Sequence, residues 1–193
     1  MNNNIYNSIE FLKTVTDEFD KNNIPYWLDC GTLLGAYRNN SLIDDDYDID
    51  IGILIDYIDN VYIFLNNLEK IGIIENINYI HNGINVDNKI IKLIYKLEEN
   101  SRWMDIYFFR KKDNYVENCL FSSESVSKVK TNLYQIETSN TIKLGDYWFK
   151  CPHDVPKFLK IRYGKDFMTP QSKCIKLNKE WWEIDDNVGN EYL

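Results

Sequence analysis

The stretch CGTLLGAYRNNSLIDDDYDIDIGIL, residues 30–54, is the one on which the rest of the chain turns. Asp44, Asp45, Asp46, Asp48 and Asp50 crowd into it just before an apolar segment. Like charges at the edge of a core repel one another and are costly to desolvate. Periodicity divides them. From residue 47 onward Asp48, Asp50 and Gly52 alternate with Ile49, Ile51 and Ile53. A period of two marks a strand, so both carboxylates leave the same side with Cβ atoms roughly 6.5–7 Å apart. Carboxylates so placed converge on one or two divalent cations. Mg²⁺ takes oxygen ligands, often one or two protein carboxylates completed by water and substrate phosphate.

A third carboxylate is available in SRWMDIYFF, residues 101–109, where Asp105 stands among Trp103, Met104, Ile106, Tyr107, Phe108 and Phe109. An acid in so apolar a strand is costly unless it faces a cation or a hydrogen-bonding partner. Asp44 and Asp45 read as solvated loop, and Asp46 is open between supporting a metal and capping the turn. A calcium loop of the EF-hand type does not fit. Its sixth position must be Gly and its twelfth Glu, and registers begun at Asp44 or Asp46 place Ile49 or Ile51 sixth and Ile55 or Tyr57 twelfth. A register begun at Asp48 places Ile53 sixth.

The approach to the acids supplies the rest. A Gly followed by a hydroxyl residue at a helix start exposes backbone N–H groups and a positive dipole end, which suits a phosphate. Gly31 allows close backbone approach, Thr32 offers a hydroxyl, and Arg38 is a further phosphate candidate or an exposed structural arginine.

Outward from this centre, Ile5, Ile9, Leu12, Val15 and Phe19 form one face of a helix ended by Asn22, Asn23 and Pro25. IPYWLDCG predicts a buried strand, TLLGAY a short helix and RNNS a polar turn. A helix from about Tyr57 to Lys70 is closed by Gly72. Strands are expected near 73–80, 89–96 and 103–110, then a strand-and-loop insertion over 113–140. TIKLGDYWFKCP predicts a hairpin turning at Gly145-Asp146. DVPKFLKIRYG predicts a helix with Asp154 as N-cap, Pro156 in its first turn and Gly164 at its end. The tryptophans of EWWEIDDN are expected to pack on the core.

The 193 residues suit one domain, and 44% hydrophobic with 15% aromatic content fits a packed globular chain. A formal charge of −8, from 30 acidic and 22 basic residues, argues against nucleic acid as a partner. The basic run Arg110 to Lys112 reads as solvated surface. Cys30, Cys119, Cys151 and Cys174 are widely spaced, with no secretory leader ahead of them, so free thiols and a cytoplasmic setting are expected. No run approaches the ~18 apolar residues of a membrane span, and His81 and His153 lack metal-binding neighbours in sequence.

A strand, a GT helix, D-x-D on the next strand and a distant third Asp resemble the layout of the polymerase-β-like nucleotidyltransferase fold. Within it, the chain resembles the LicD/fukutin-related family of phosphotransferases. GTLLGAYRNNSLIDDDYDIDIGI is similar to that family's block of G-T-L-L-G-A-x-R and I-P-W-D-x-D-x-D. RWMDIYFF is similar to its internal aspartate strand. YWFKCPHDVPKFLKIRYGKDFMTP is similar to its C-terminal pattern, here carrying Pro152, Tyr163, Gly164 and Pro170. Two departures stand out: Asp44-Asp45 replace the family's Pro-Trp, and Asn39 replaces the His after the Arg.

The resemblance implies an α+β fold with a mixed sheet flanked by helices and a C-terminal helical segment. It implies one domain over 1–193, with a core at about 24–110 and the hairpin and helix at about 141–170. It implies transfer of a phospho-alcohol, such as ribitol phosphate or phosphocholine, from a CDP-activated donor to a sugar hydroxyl of a glycan. Asp48, Asp50 and Asp105 fall where the family binds its metals, Mg²⁺ or Mn²⁺, and two ions are expected. Asp46 and Tyr163 become candidates for contacting those ligands. Two rivals stand beside this reading: transfer of a nucleoside monophosphate from an NTP, and a catalytically silent nucleotide-binding module.

Overall fold

The computed structural model describes residues 3–44, 46, 48–70, 76–81, 89–97, 100–118, 130–137 and 140–170. The expected Gly72 helix end, the EWWEIDDN segment, Cys119 and Cys174 lie outside them. The elements run α1 (Asn3–Lys21), β1 (Tyr26–Leu28), α2 (Cys30–Asn39), β2 (Asp48–Leu54), a 3-10 turn (Ile55–Tyr57) and α3 (Ile58–Lys70). They continue with β3 (Asn76–His81), β4 (Lys89–Leu97), β5 (Asn100–Lys112), β6 (Tyr115–Asn118), β7 (Lys130–Asn132), α4 (Leu133–Glu137), β8 (Asn140–Leu144), β9 (Tyr147–Cys151) and α5 (Val155–Tyr163).

The main sheet has the order β1-β2-β5-β4-β3, with β6 and β7 joined to it through β5. β2 and β5 run parallel and the other pairs are antiparallel, so the architecture is α+β with a mixed sheet. The pleat gives the centre of this sheet two unlike faces. On one, Ile49, Ile51 and Ile53 of β2 and Met104, Ile106 and Phe108 of β5 are sealed from solvent. The ring of Phe19 on α1 lies 6.2 Å from Tyr26 and 5.2 Å from Phe64 on α3, so both helices close that face. Each fully buried Leu, Ile or Phe there contributes roughly 1.5–3 kcal/mol, which makes this the main apolar core. The other face carries Asp48, Asp50, Asp105 and Tyr107.

The hairpin β8–β9 turns at Gly145, whose φ of +62° suits a residue without Cβ. It ties α1 to the end of α2. The Tyr147 hydroxyl donates to Glu10 at 2.6 Å, Lys150 pairs with Asp20, and Gly145 N–H donates to the Asn40 carbonyl at 3.0 Å. Helix α5 begins as expected, with Asp154 accepting from Lys157 N–H at 3.1 Å, and ends at Gly164 with φ +80°.

The helix expected over TLLGAY is longer than its apolar residues suggest, taking in Cys30 and Arg38-Asn39. Asn40 stops it by adopting the left-handed conformation, its N–H donating to the Ala36 carbonyl at 3.1 Å. No helix of the described residues is long and apolar enough to cross a membrane.

Candidate metal centre

The parallel pairing of β2 and β5 sets Asp50 directly beside Asp105 and Asp48 beside Trp103. One carboxylate oxygen from each of Asp48, Asp50 and Asp105 lies within 4.8 Å of the others. Asp50 and Asp105 are 5% and 6% exposed, while Asp48 opens toward solvent. Burial, and then the carboxylates of Asp48, Asp46, Asp105 and Asp29, push the Asp50 carboxyl well above its usual range. A divalent cation among these oxygens would reverse that penalty. The donors are all hard carboxylate oxygens, which fit Mg²⁺ or Mn²⁺ and match none of the thiolate and imidazole sets typical of structural zinc.

The start of α2 grips Asp50 from three sides. Gly31 N–H donates to Asp50 Oδ2 at 3.0 Å. Asp50 N–H donates to Thr32 Oγ1 at 2.8 Å, and Asp29 N–H donates to the Asp50 carbonyl at 3.1 Å. Two of the three residues read as phosphate contacts, Gly31 and Thr32, therefore spend this N–H and this hydroxyl oxygen on the carboxylate strand. A Cβ at Gly31 would lie 2.2 Å from Asp46 Oδ2, so a larger residue there would have to move that side chain. Asp46 thus stands against the helix start, close enough to raise the Asp50 carboxyl.

Two residues that the sequence reading did not single out hold the helix start in place. Asp29 is its N-cap, accepting from Cys30 N–H at 2.7 Å through Oδ1. Its other oxygen, Oδ2, accepts from Arg162 Nη2 of α5 at 2.8 Å, and both side chains are nearly sealed, at 0% and 4% exposure. The guanidinium also lies over the rings of Phe158 and Phe109, at 4.8 and 5.7 Å from their centroids. An Asp immediately before a helix is an N-cap signal that could have found Asp29. Nothing local marks Arg162 as its partner.

Tyr163, next to Arg162, is half-buried. Burial, then Cys30 and Asp50, push its hydroxyl well above the ordinary range. Tyr107 lies two residues beyond Asp105 on the same strand face, and burial followed by Asp50 pushes its hydroxyl up as well. That alternation was the signal for it. On the same face a Cβ at Gly52 would meet the Trp27 indole at 2.2 Å, so the glycine admits the ring that borders the site. Arg38 is placed elsewhere, roughly 10 Å further along α2 at 1.5 Å per residue. Its guanidinium donates to the Phe167 carbonyl and, at 3.2 Å, to that of Thr169.

This arrangement of paired strands, capped helix and three carboxylates lies largely within residues 23–154, which match the family described as LicD/FKTN/FKRP, nucleotidyltransferase domain. The chain belongs to this family. Relatives include the ribitol-5-phosphate transferases FKTN of Macaca fascicularis and Homo sapiens, 24% and 23% identical over 167 residues. Those matches take in 83% of this chain and 33% of each relative. An uncharacterised protein of Rickettsia prowazekii (strain Madrid E) is 47% identical over 45 residues, covering 23% of this chain and 17% of that protein. The chain thus spans a third or less of the length of these relatives.

Proposed function

We propose that this LicD-family chain is a metal-dependent transferase with the polymerase-β-like nucleotidyltransferase fold. It moves a phospho-alcohol group, of the ribitol phosphate or phosphocholine kind, from a CDP-activated donor to a sugar hydroxyl of a glycan. The observation that carries the reading is the convergence of Asp48, Asp50 and Asp105 at the centre of a sheet in a chain of this family. Membership in a family with named ribitol-5-phosphate transferases supports the choice of transferred group.

Asp48, Asp50 and Asp105 hold Mg²⁺ or Mn²⁺. When bound, the cation supplies positive charge against which negative charge on the transferring phosphoryl group is stabilised. Asp50 is kept in place by the Gly31 N–H, so its carboxylate needs little reorganisation. The acceptor hydroxyl oxygen attacks the donor phosphorus bearing the alcohol, the bond from that phosphorus to CMP breaks, and CMP leaves. The hydroxyl proton passes to a carboxylate oxygen of Asp105, whose burial suits a proton acceptor. Tyr107 and Trp27 border the same face.

The test is incubation with CDP-ribitol, CDP-choline, CDP-glycerol, ATP or CTP, with Mn²⁺ and a glycan acceptor, followed by product mass. The expected result is CMP release from one CDP-alcohol and an acceptor heavier by the phospho-alcohol. Transfer of a nucleoside monophosphate from ATP or CTP, or turnover of none of these donors, overturns the proposal.

A further inference from the structure

We infer that Arg162 is a positioning residue for the metal centre, acting on Asp50 through Asp29 and the first turn of α2. The inference rests on the metal-binding reading above and extends it to α5, outside residues 23–154. The route from Arg162 to Asp50 runs through the N-cap. Its Nη2 fixes Asp29 Oδ2 at 2.8 Å. Asp29 Oδ1 takes the Cys30 N–H at 2.7 Å, and the Asp29 carbonyl takes the Leu33 N–H at 3.0 Å, which begins the helix. From the same turn, Asp29 N–H, Gly31 N–H and Thr32 Oγ1 reach the carbonyl, the carboxylate and the N–H of Asp50. Every polar group of Asp50 that these bonds use is therefore referred to one turn of helix, and that turn is referred to Arg162.

Three features make the arrangement more than a fastening of α5. Cys30 sits in the turn at φ +42°, a conformation that L residues other than Asn and Asp adopt at a cost, so surrounding contacts must hold it. Arg162 supplies one of them, with Nη1 3.9 Å from Cys30 Sγ. The guanidinium also lies over Phe109, which is on β5 with Asp105. One buried side chain thus registers α5 against both sources of carboxylates. A planar guanidinium can bond Asp29 and stack on Phe109 and Phe158 together, which a lysine ammonium on a flexible stem cannot reproduce.

The test compares Mn²⁺ affinity by calorimetry with metal-free Tm for the wild type, Arg162→Gln, Arg162→Lys and Leu68→Ala. Leu68 is buried on α3, and its truncation lowers stability away from the carboxylates. Outer partners of metal ligands set affinity by about 10- to 100-fold; Arg162 acts one contact further out, through Asp29, so Arg162→Gln is expected to weaken Mn²⁺ binding by up to about 10-fold. Arg162→Lys is expected to fall between it and the wild type, while Leu68→Ala binds as the wild type does despite its lower Tm. Should Arg162→Gln fail to fold, Arg162→Lys carries the comparison alone. Wild-type affinity in every folded Arg162 variant overturns this inference and leaves the metal reading standing. Equal weakening in Leu68→Ala also overturns it, since affinity then merely follows stability. Absence of Mn²⁺ binding in the wild type overturns both.

Discussion

Asp29, where α2 meets α5, and Asp50, at the centre of the sheet, are buried almost equally, at 0% and 5% exposure. They share one hydrogen-bonded turn of helix, yet their charges are met in opposite ways. Burial pushes the Asp29 carboxyl up, but Arg162 pulls against it from 2.8 Å. Asp50 is pushed up by burial and then by four carboxylates of its own sign. The chain thus brings its own cation to the first aspartate and gathers further anions around the second. A buried charge must be balanced or neutralised, and the three carboxylate oxygens within 4.8 Å of one another could achieve this around a metal ion.

The largest expected effect breaks the Asp50 side. Asp50→Asn should abolish phospho-alcohol transfer while leaving the metal-free Tm unchanged or higher, because repulsion among the carboxylates falls. Mn²⁺ at a hundred times its Kd should stabilise the wild type by about 2.7 kcal/mol, and the variant should lose that gain in a chemical denaturation series. Persistent transfer would remove the distinction between the two aspartates.

Asp29→Asn attacks the other side and should act on stability first. It leaves the Arg162 charge buried without its counter-ion, at a cost of about 3–5 kcal/mol by urea titration.

Acidity sharpens the contrast. The metal-free folded state raises the Asp50 carboxyl above its ordinary 3.8, so it holds that proton more tightly than the unfolded chain does. Stability from this group is fully present below that ordinary value and is lost as pH rises through the higher folded value. Mn²⁺ must displace the proton, so the Mn²⁺-induced rise in Tm should grow with pH across that window. Apparent binding should change by up to about 1.4 kcal/mol per pH unit there. A rise that is flat with pH would mean that Asp50 is ionised in the metal-free protein.

The smallest effect comes from a pair outside both regions. Lys111 and Glu137 meet at 2.9 Å with side chains 42% and 49% exposed. Lys111→Ala should cost less than about 1 kcal/mol and leave transfer and Mn²⁺ affinity unchanged.

Much of the fold was legible because its signals are local. Periodicity located α1, α3 and β2, and the Asp154, Pro156 and Gly164 punctuation located α5. The strand-and-loop insertion read over 113–140 contains β6, β7 and the short helix α4. The site was legible in part for the same reason. Alternation puts Asp48 and Asp50 on one side, and an acid among six apolar or aromatic neighbours draws attention to Asp105. For Arg38 the sequence left a phosphate contact and a structural arginine equally open; its Nη2 donates to the Phe167 and Thr169 carbonyls, far along the chain. Gly31 and Thr32 were read as phosphate contacts, and the hydrogen bonds they make to Asp50 were not foreseen.

By itself, then, the sequence determined which strands bear the clustered carboxylates and which face of each strand they occupy, because a strand's period is fixed by its own backbone. Only the tertiary structure decided that β2 and β5 are parallel neighbours in the register that sets Asp50 beside Asp105. Only it decided that Arg162 reaches back to Asp29. Both depend on contacts between residues distant in sequence, chosen by the packing of the whole sheet and its helices, and no local pattern encodes them.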